Sequence, residues 1–138
     1  MTYLGLDLGD KSLGVAISLS GVIANNHTTI RFGYQDFSYA IKELKKIADQ
    51  NQIQVIVLGF PKHMNNDVGE KGALTIKFKE LMEKELTQEI VLWDERLSTK
   101  TALRMLSDSN KKYDKQRQLK DEVAAQVILQ NYLDSRRN

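Results

Sequence analysis

The sequence predicts one α/β domain with a mixed five-stranded sheet, its first three strands antiparallel and the last two joined through parallel crossover units, flanked by helices. Three observations carry this. Two alternating apolar segments lie on either side of a glycine-bearing turn near the N-terminus. Two unbroken apolar runs of strand length, Val55–Leu58 and Ile90–Trp93, follow later in the chain. Apolar residues at helical spacing precede, separate and follow those runs, which is the pattern of crossover connections.

The elements follow in order. Tyr3-Leu4-Gly5-Leu6-Asp7-Leu8 reads as a strand with its leucines on one face. Gly9-Asp10-Lys11-Ser12 is a turn, and Leu13–Ser18 returns as the antiparallel partner. A third short strand falls within Val22–Ile30. Asp36 then caps a helix in which Phe37, Ala40, Ile41, Leu44, Ile47 and Ala48 form one stripe, ending near Asn51. Val55–Leu58 is a strand covered on both faces, halted by Gly59-Phe60-Pro61. A polar loop, 62–68, leads to a second helix carrying Ala73, Leu74, Ile76, Phe78, Leu81, Met82 and Leu86. The fifth strand, Ile90–Trp93, is followed by Asp94-Glu95-Arg96 and by a short helix capped by Ser98 or Thr99 that runs to about Leu106. Residues 108–118 read as a polar, basic loop, and a last helix spans about Leu119–Leu133.

Composition narrows the chemistry. The 138 residues suit a single domain, 1–138, with one packed core system. There is no Cys, so disulfides, thiolate zinc sites and a cysteine nucleophile are excluded. With only short apolar runs and no signal-like N-terminus, the expected location is cytoplasmic, with no membrane partner. The net charge of +2 is small, but it is unevenly spread. Residues 1–95 hold 10 basic and 13 acidic groups, whereas 96–138 hold 10 basic and 5 acidic. A basic final third is either a solvated helical face or a surface for a polyanion.

Three carboxylates sit where packing alone does not put them. Asp7 interrupts an apolar strand expected to be central. Glu95 stands just past the end of an apolar strand, where open α/β sheets place ligands. Asp121 has Ala124, Ala125, Ile128 and Tyr132 at i+3, i+4, i+7 and i+11, so it continues the apolar stripe of the last helix. Each has an ordinary reading on its own: a turn residue before Gly9, an exposed partner of Arg96, and an acidic residue at a helix N-terminus. Together, three converging carboxylates repel one another, and a divalent cation offsets that cost. Oxygen ligands select Mg²⁺ or Mn²⁺. Such a site suits metal-dependent phosphodiester hydrolysis, with Lys11, Arg96, Lys100 and Arg104 available to hold neighbouring phosphates. Trp93 reads as core, and His63 as a solvated loop residue.

Four segments bear a resemblance to a known family. These are Gly5-Leu6-Asp7-Leu8-Gly9 with Gly14-Val15-Ala16, Val57-Leu58-Gly59-Phe60-Pro61, Asp94-Glu95-Arg96-Leu97-Ser98-Thr99, and Asp121 with Ala124-Ala125 and Ile128-Leu129. In this order and spacing, over nearly the whole length, the chain resembles the YqgF-type proteins, the Holliday-junction-resolvase-like and pre-16S rRNA nuclease family of ribonuclease H-like fold. It departs from the usual pattern at Ser12-Leu13 and at Asn66-Asp67.

The resemblance implies a nuclease with Asp7, Glu95 and Asp121 as catalytic residues and ligands of Mg²⁺ or Mn²⁺. The substrate contacts expected beside them are Lys11, Ser12, Arg96, Ser98, Thr99, Lys100 and Arg104. It further implies a role in processing the 5′ end of pre-16S rRNA in ribosome biogenesis. The alternatives are a resolvase of branched DNA and a non-catalytic nucleic-acid-binding module. A monomer or weak homodimer is expected. Asp-x-Gly before a glycine hairpin is also the first phosphate motif of actin-like and sugar-kinase ATPases, but those enclose ATP between two domains and this chain supplies one.

Overall fold

The structure, a computed structural model, describes residues 1–60, 69–94 and 113–136, and in the last of these segments the side chains from 123 onward. Its elements are β1 (Tyr3–Leu8), β2 (Ser12–Ser18), β3 (Asn25–Arg31), α1 (Phe37–Gln50), β4 (Val55–Phe60), α2 (Glu70–Glu85), β5 (Glu89–Asp94) and α3 (Tyr113–Arg136). The sheet order is β3-β2-β1-β4-β5. β1 pairs antiparallel with β2 and parallel with β4, so the first strand is central, as its sequence suggested. The first three strands form an antiparallel meander, and β4 and β5 extend the sheet in parallel.

The period-two alternation of the strands divides the interior into two layers. Leu4, Leu6 and Leu8 of β1, with Leu13, Val15 and Ile17 of β2, face α1 and α2 in one cluster that includes Phe37, Leu44, Phe78 and Met82. Phe37 and Phe78 meet edge to face at 5.3 Å between ring centroids. On the opposite face, Tyr3, Ala16, Val55 and Val57 pack under Ala125, Ile128, Leu129, Tyr132 and Leu133 of α3. All six residues of β4 are buried, which explains its unbroken apolar run.

Asp36 is the N-cap of α1 and accepts a hydrogen bond from the Tyr39 N–H at 3.4 Å. Substituting it as Asp36→Ala is expected to cost about 1 kcal/mol, measured as a shift in the urea midpoint with an unchanged slope.

Two boundaries and one helical stripe differ from the sequence reading. β4 continues through Gly59 and Phe60, because the parallel ladder with β5 reaches Phe60–Asp94. The stripe of α2 is less regular: Ala73 is exposed, Ile76 is 37 % exposed, and Thr75 is buried with its hydroxyl bonded to the Lys71 carbonyl at 2.9 Å. α3 starts at Tyr113, so residues 113–118 are helical rather than loop. Lys, Gln and Arg in that segment are good helix formers, and polarity alone misled the expectation. The loop expected at 62–68 and the short helix expected to run from Ser98 or Thr99 to Leu106 lie outside the described residues.

Candidate active site

β1 delivers Asp7 to the C-terminal end of the central strand, on the α3 side of the sheet and half-buried. The parity is fixed by its neighbours. Leu6 and Leu8 belong to the α1/α2 layer, whereas a Cβ added at Gly5 would meet the Leu129 Cβ at 2.5 Å and the Ala125 carbonyl oxygen at 3.0 Å. Only glycine at position 5 lets α3 lie this close to the strand.

The residues beside Asp7 in the sheet are unusually small. Asp7 pairs directly with Gly14 of β2. On the other side, the β1–β4 register ends at Leu6–Leu58, so its continuation sets Gly59 level with Asp7, and Gly59 pairs with Trp93 of β5. Gly5 precedes Asp7 by two positions on the same face and Gly9 follows by two. The carboxylate therefore stands in a trough with no side chain on either neighbouring strand at its level. Trp93, beyond Gly59, is half-buried and packs edge to face on Tyr132 at 5.4 Å, against the α3-side core.

The Gly9–Ser12 turn closes with the Gly9 N–H donating to the Ser12 carbonyl at 2.8 Å. Lys11 is exposed in this turn, and Ser12 opens β2, half-buried. Asp94 pairs with Phe60 and takes the parity opposite to that of Asp7. Position 121 is helical within α3, and of the stripe read from it Ala125, Ile128 and Tyr132 are buried while Ala124 is half-buried. The Asp121 side chain, and Glu95, Arg96, Ser98, Thr99, Lys100, Arg104 and His63, lie outside the described residues. Among the described residues no three acidic, His or Cys side chains form a metal-binding group. A cavity of about 540 Å³ lined by Leu8, Gly9, Asp10, Tyr34, Phe37, Glu70, Lys71 and Leu74 opens beside the turn that follows β1.

α3 is tied to the connection between β2 and β3 by two glutamines that the sequence reading passed over. Gln130 accepts from the Ala24 N–H at 2.8 Å and donates to the Val22 carbonyl at 3.0 Å, while Gln126 donates to the Ala24 carbonyl at 3.1 Å. Ala24 is buried, so Gln130→Ala leaves its N–H without this partner. The expected cost is about 1–2 kcal/mol, read from chemical denaturation.

A family model described as RuvX, Holliday junction resolvase, matches residues 1–135. The chain belongs to the RuvX family. Among RuvX-type relatives, a protein of Onion yellows phytoplasma named "Putative pre-16S rRNA nuclease" is 52% identical over 132 residues, covering 95% of this chain and 87% of that one. A Geobacillus protein of the same name is 44% identical, covering 99% of both. Among solved structures, T. thermophilus RuvC in complex with a Holliday junction substrate aligns with a TM-score of 0.62 at 12% identity, covering 100% of this chain and 96% of that one. That likeness shows the fold, the ribonuclease H-like one expected from the sequence. Among the described residues, no helix of this RuvX-family chain is long and apolar enough to cross a membrane.

Proposed function

We propose that this RuvX-family protein is a divalent-metal-dependent nuclease that hydrolyses phosphodiester bonds and processes the 5′ end of precursor 16S rRNA. The observation that carries the reading is the placement of Asp7. It is a half-buried carboxylate at the C-terminal end of the central strand, between two glycines that leave space above the sheet. The names of the relatives supply the substrate.

A hard cation fits what is on this face, because the donor chemistry is carboxylate oxygen and the chain has no thiol. Asp7, Glu95 and Asp121 would hold Mg²⁺ or Mn²⁺. Glu95 follows directly after Asp94, the last residue of β5, so covalent geometry keeps its Cα about 3.8 Å from that of Asp94. Asp121 lies one helical turn before Ala125, which packs over Gly5, and β1 advances from Gly5 to Asp7 as α3 is followed back from 125 to 121. The cation, when bound, supplies a Lewis acid for a phosphoryl oxygen and lowers the pKa of a water molecule.

The protein's own residues do the rest. Asp7 fixes the anionic locus, and Gly14 and Gly59 admit a phosphodiester close to the backbone. Lys11, Arg96, Lys100 and Arg104 neutralise adjoining phosphates, and Ser12, Ser98 and Thr99 offer hydroxyl donors.

The test is to incubate the protein with structured precursor rRNA, single-stranded RNA and a four-way DNA junction, with and without Mn²⁺. Cleavage of the precursor only with Mn²⁺ is expected. Preferred cleavage of the junction would assign the resolvase activity instead, and binding of all three without cleavage would leave a nucleic-acid-binding module.

A further inference from the structure

We propose that Arg31, at the end of edge strand β3, holds a backbone phosphate of the polynucleotide bound over Asp7. The identity of the ligand rests on the nuclease reading above; the placement of Arg31 rests on strand register.

Ser12 pairs directly with Arg31, and Gly9 meets Ser12 across the turn through the 2.8 Å hydrogen bond. One position further into the sheet, Leu8, Leu13 and Ile30 all belong to the α1/α2 layer. The adjacent row, Gly9, Ser12 and Arg31, therefore lies on the opposite face, as does the next row on that face, Asp7, Gly14 and Thr29. Arg31 and Asp7 thus share one face, two strands apart, or about 10 Å in the hydrogen-bonding direction. Between them stand Ser12, Gly9, Gly14 and Thr29, all small residues. Directly opposed residues have Cβ atoms roughly 5 Å apart, so an arginine side chain laid across Ser12 closes most of the distance to the trough.

Arg31 is exposed, and its side chain makes no hydrogen bond or ion pair among the described residues. A guanidinium in that state keeps its whole donor fork for a ligand, and the fork matches two phosphate oxygens. Asp7 with an attendant cation and Arg31 two strand spacings away suit a polynucleotide running across the sheet rather than a mononucleotide.

The experiment reads binding in EDTA, by fluorescence anisotropy of a labelled precursor-rRNA fragment over a range of salt concentrations, so that cleavage plays no part. Arg31→Ala is expected to weaken binding about tenfold and to reduce the slope of log K against log salt by roughly 0.7–0.9, the share of one phosphate contact. Arg31→Lys should keep the slope and recover part of the affinity. Lys42→Ala, an exposed cation on α1 across the sheet, should change neither. The melting temperature of Arg31→Ala should stay near that of the parent, since the side chain is exposed. Unchanged affinity and slope in Arg31→Ala, an equal loss in Lys42→Ala, or no measurable binding by the parent protein would each overturn the assignment. The nuclease reading fails on a separate result, absence of Mn²⁺-dependent cleavage by the parent, and the binding slopes do not depend on it.

Discussion

Replacing Asp7 by Asn is expected to lower Mn²⁺-dependent cleavage of precursor rRNA about a thousandfold, roughly 4 kcal/mol of transition-state stabilisation, while the protein stays folded. Asn has nearly the shape of Asp, and the two neighbouring positions, Gly14 and Gly59, impose no packing constraint that the amide would violate. The substitution removes a negative charge, which is what a divalent cation requires of its ligand. A second readout separates lost metal binding from lost chemistry. Mn²⁺ should raise the melting temperature of the parent protein, because ligands that bind only the folded state stabilise it, and Asp7→Asn should lose that rise. In the absence of metal, the proposed convergence of Asp7 with Glu95 and Asp121 predicts that Asp7→Asn is at least as stable as the parent, since one like charge is gone. Full cleavage by the Asn variant would remove Asp7 from the chemistry.

Gly5→Ala is expected to destabilise the protein by about 2–3 kcal/mol, at the upper end of the usual range for overpacking. The added methyl would sit 2.5 Å from the Leu129 Cβ and 3.0 Å from the Ala125 carbonyl oxygen, so strand and helix must separate. Because the nearest atom is a Cβ, shortening the leucine does not relieve the clash: Leu129→Ala keeps it. The double variant Gly5→Ala with Leu129→Ala should therefore show no rescue, its cost being at least that of Gly5→Ala alone in urea titrations. Recovery of stability in that double variant would mean that α3 sits further from β1 than the structure has it.

Much of this arrangement was legible in the sequence. Asp36 announced the start of α1, the unbroken apolarity of 55–58 announced a strand covered on both faces, and Asp7 stood out because it was charged in an apolar strand. What stayed hidden depended on register. Gly14 and Gly59 are forty-five positions apart in the chain, and nothing in either local context says that both flank Asp7; that emerges only from the pairings of β1 with β2 and β4. Arg31 was missed for the same reason, since its relation to Ser12 is a cross-strand one. Gln126 and Gln130 were passed over, because a polar side chain that satisfies distant backbone looks in sequence like one that meets water. The start of α3 was placed too late because high charge was taken for loop, although its residue types favour helix.

The grip on α3 also has a mechanical side. Among its described side chains, Ala125, Gln126, Leu129, Gln130 and Tyr132 pack or hydrogen-bond to the rest of the protein. Taking Leu129 over Gly5 as the fulcrum, position 121 is eight residues out, about 12 Å along the axis. A tilt of only about 5° at the fulcrum swings that point by about 1 Å, a displacement large enough to cost a catalytic geometry about two orders of magnitude. With Asp121 in the metal-holding role proposed for it, substitutions at these contacts should be felt as lost turnover before they are felt as lost structure.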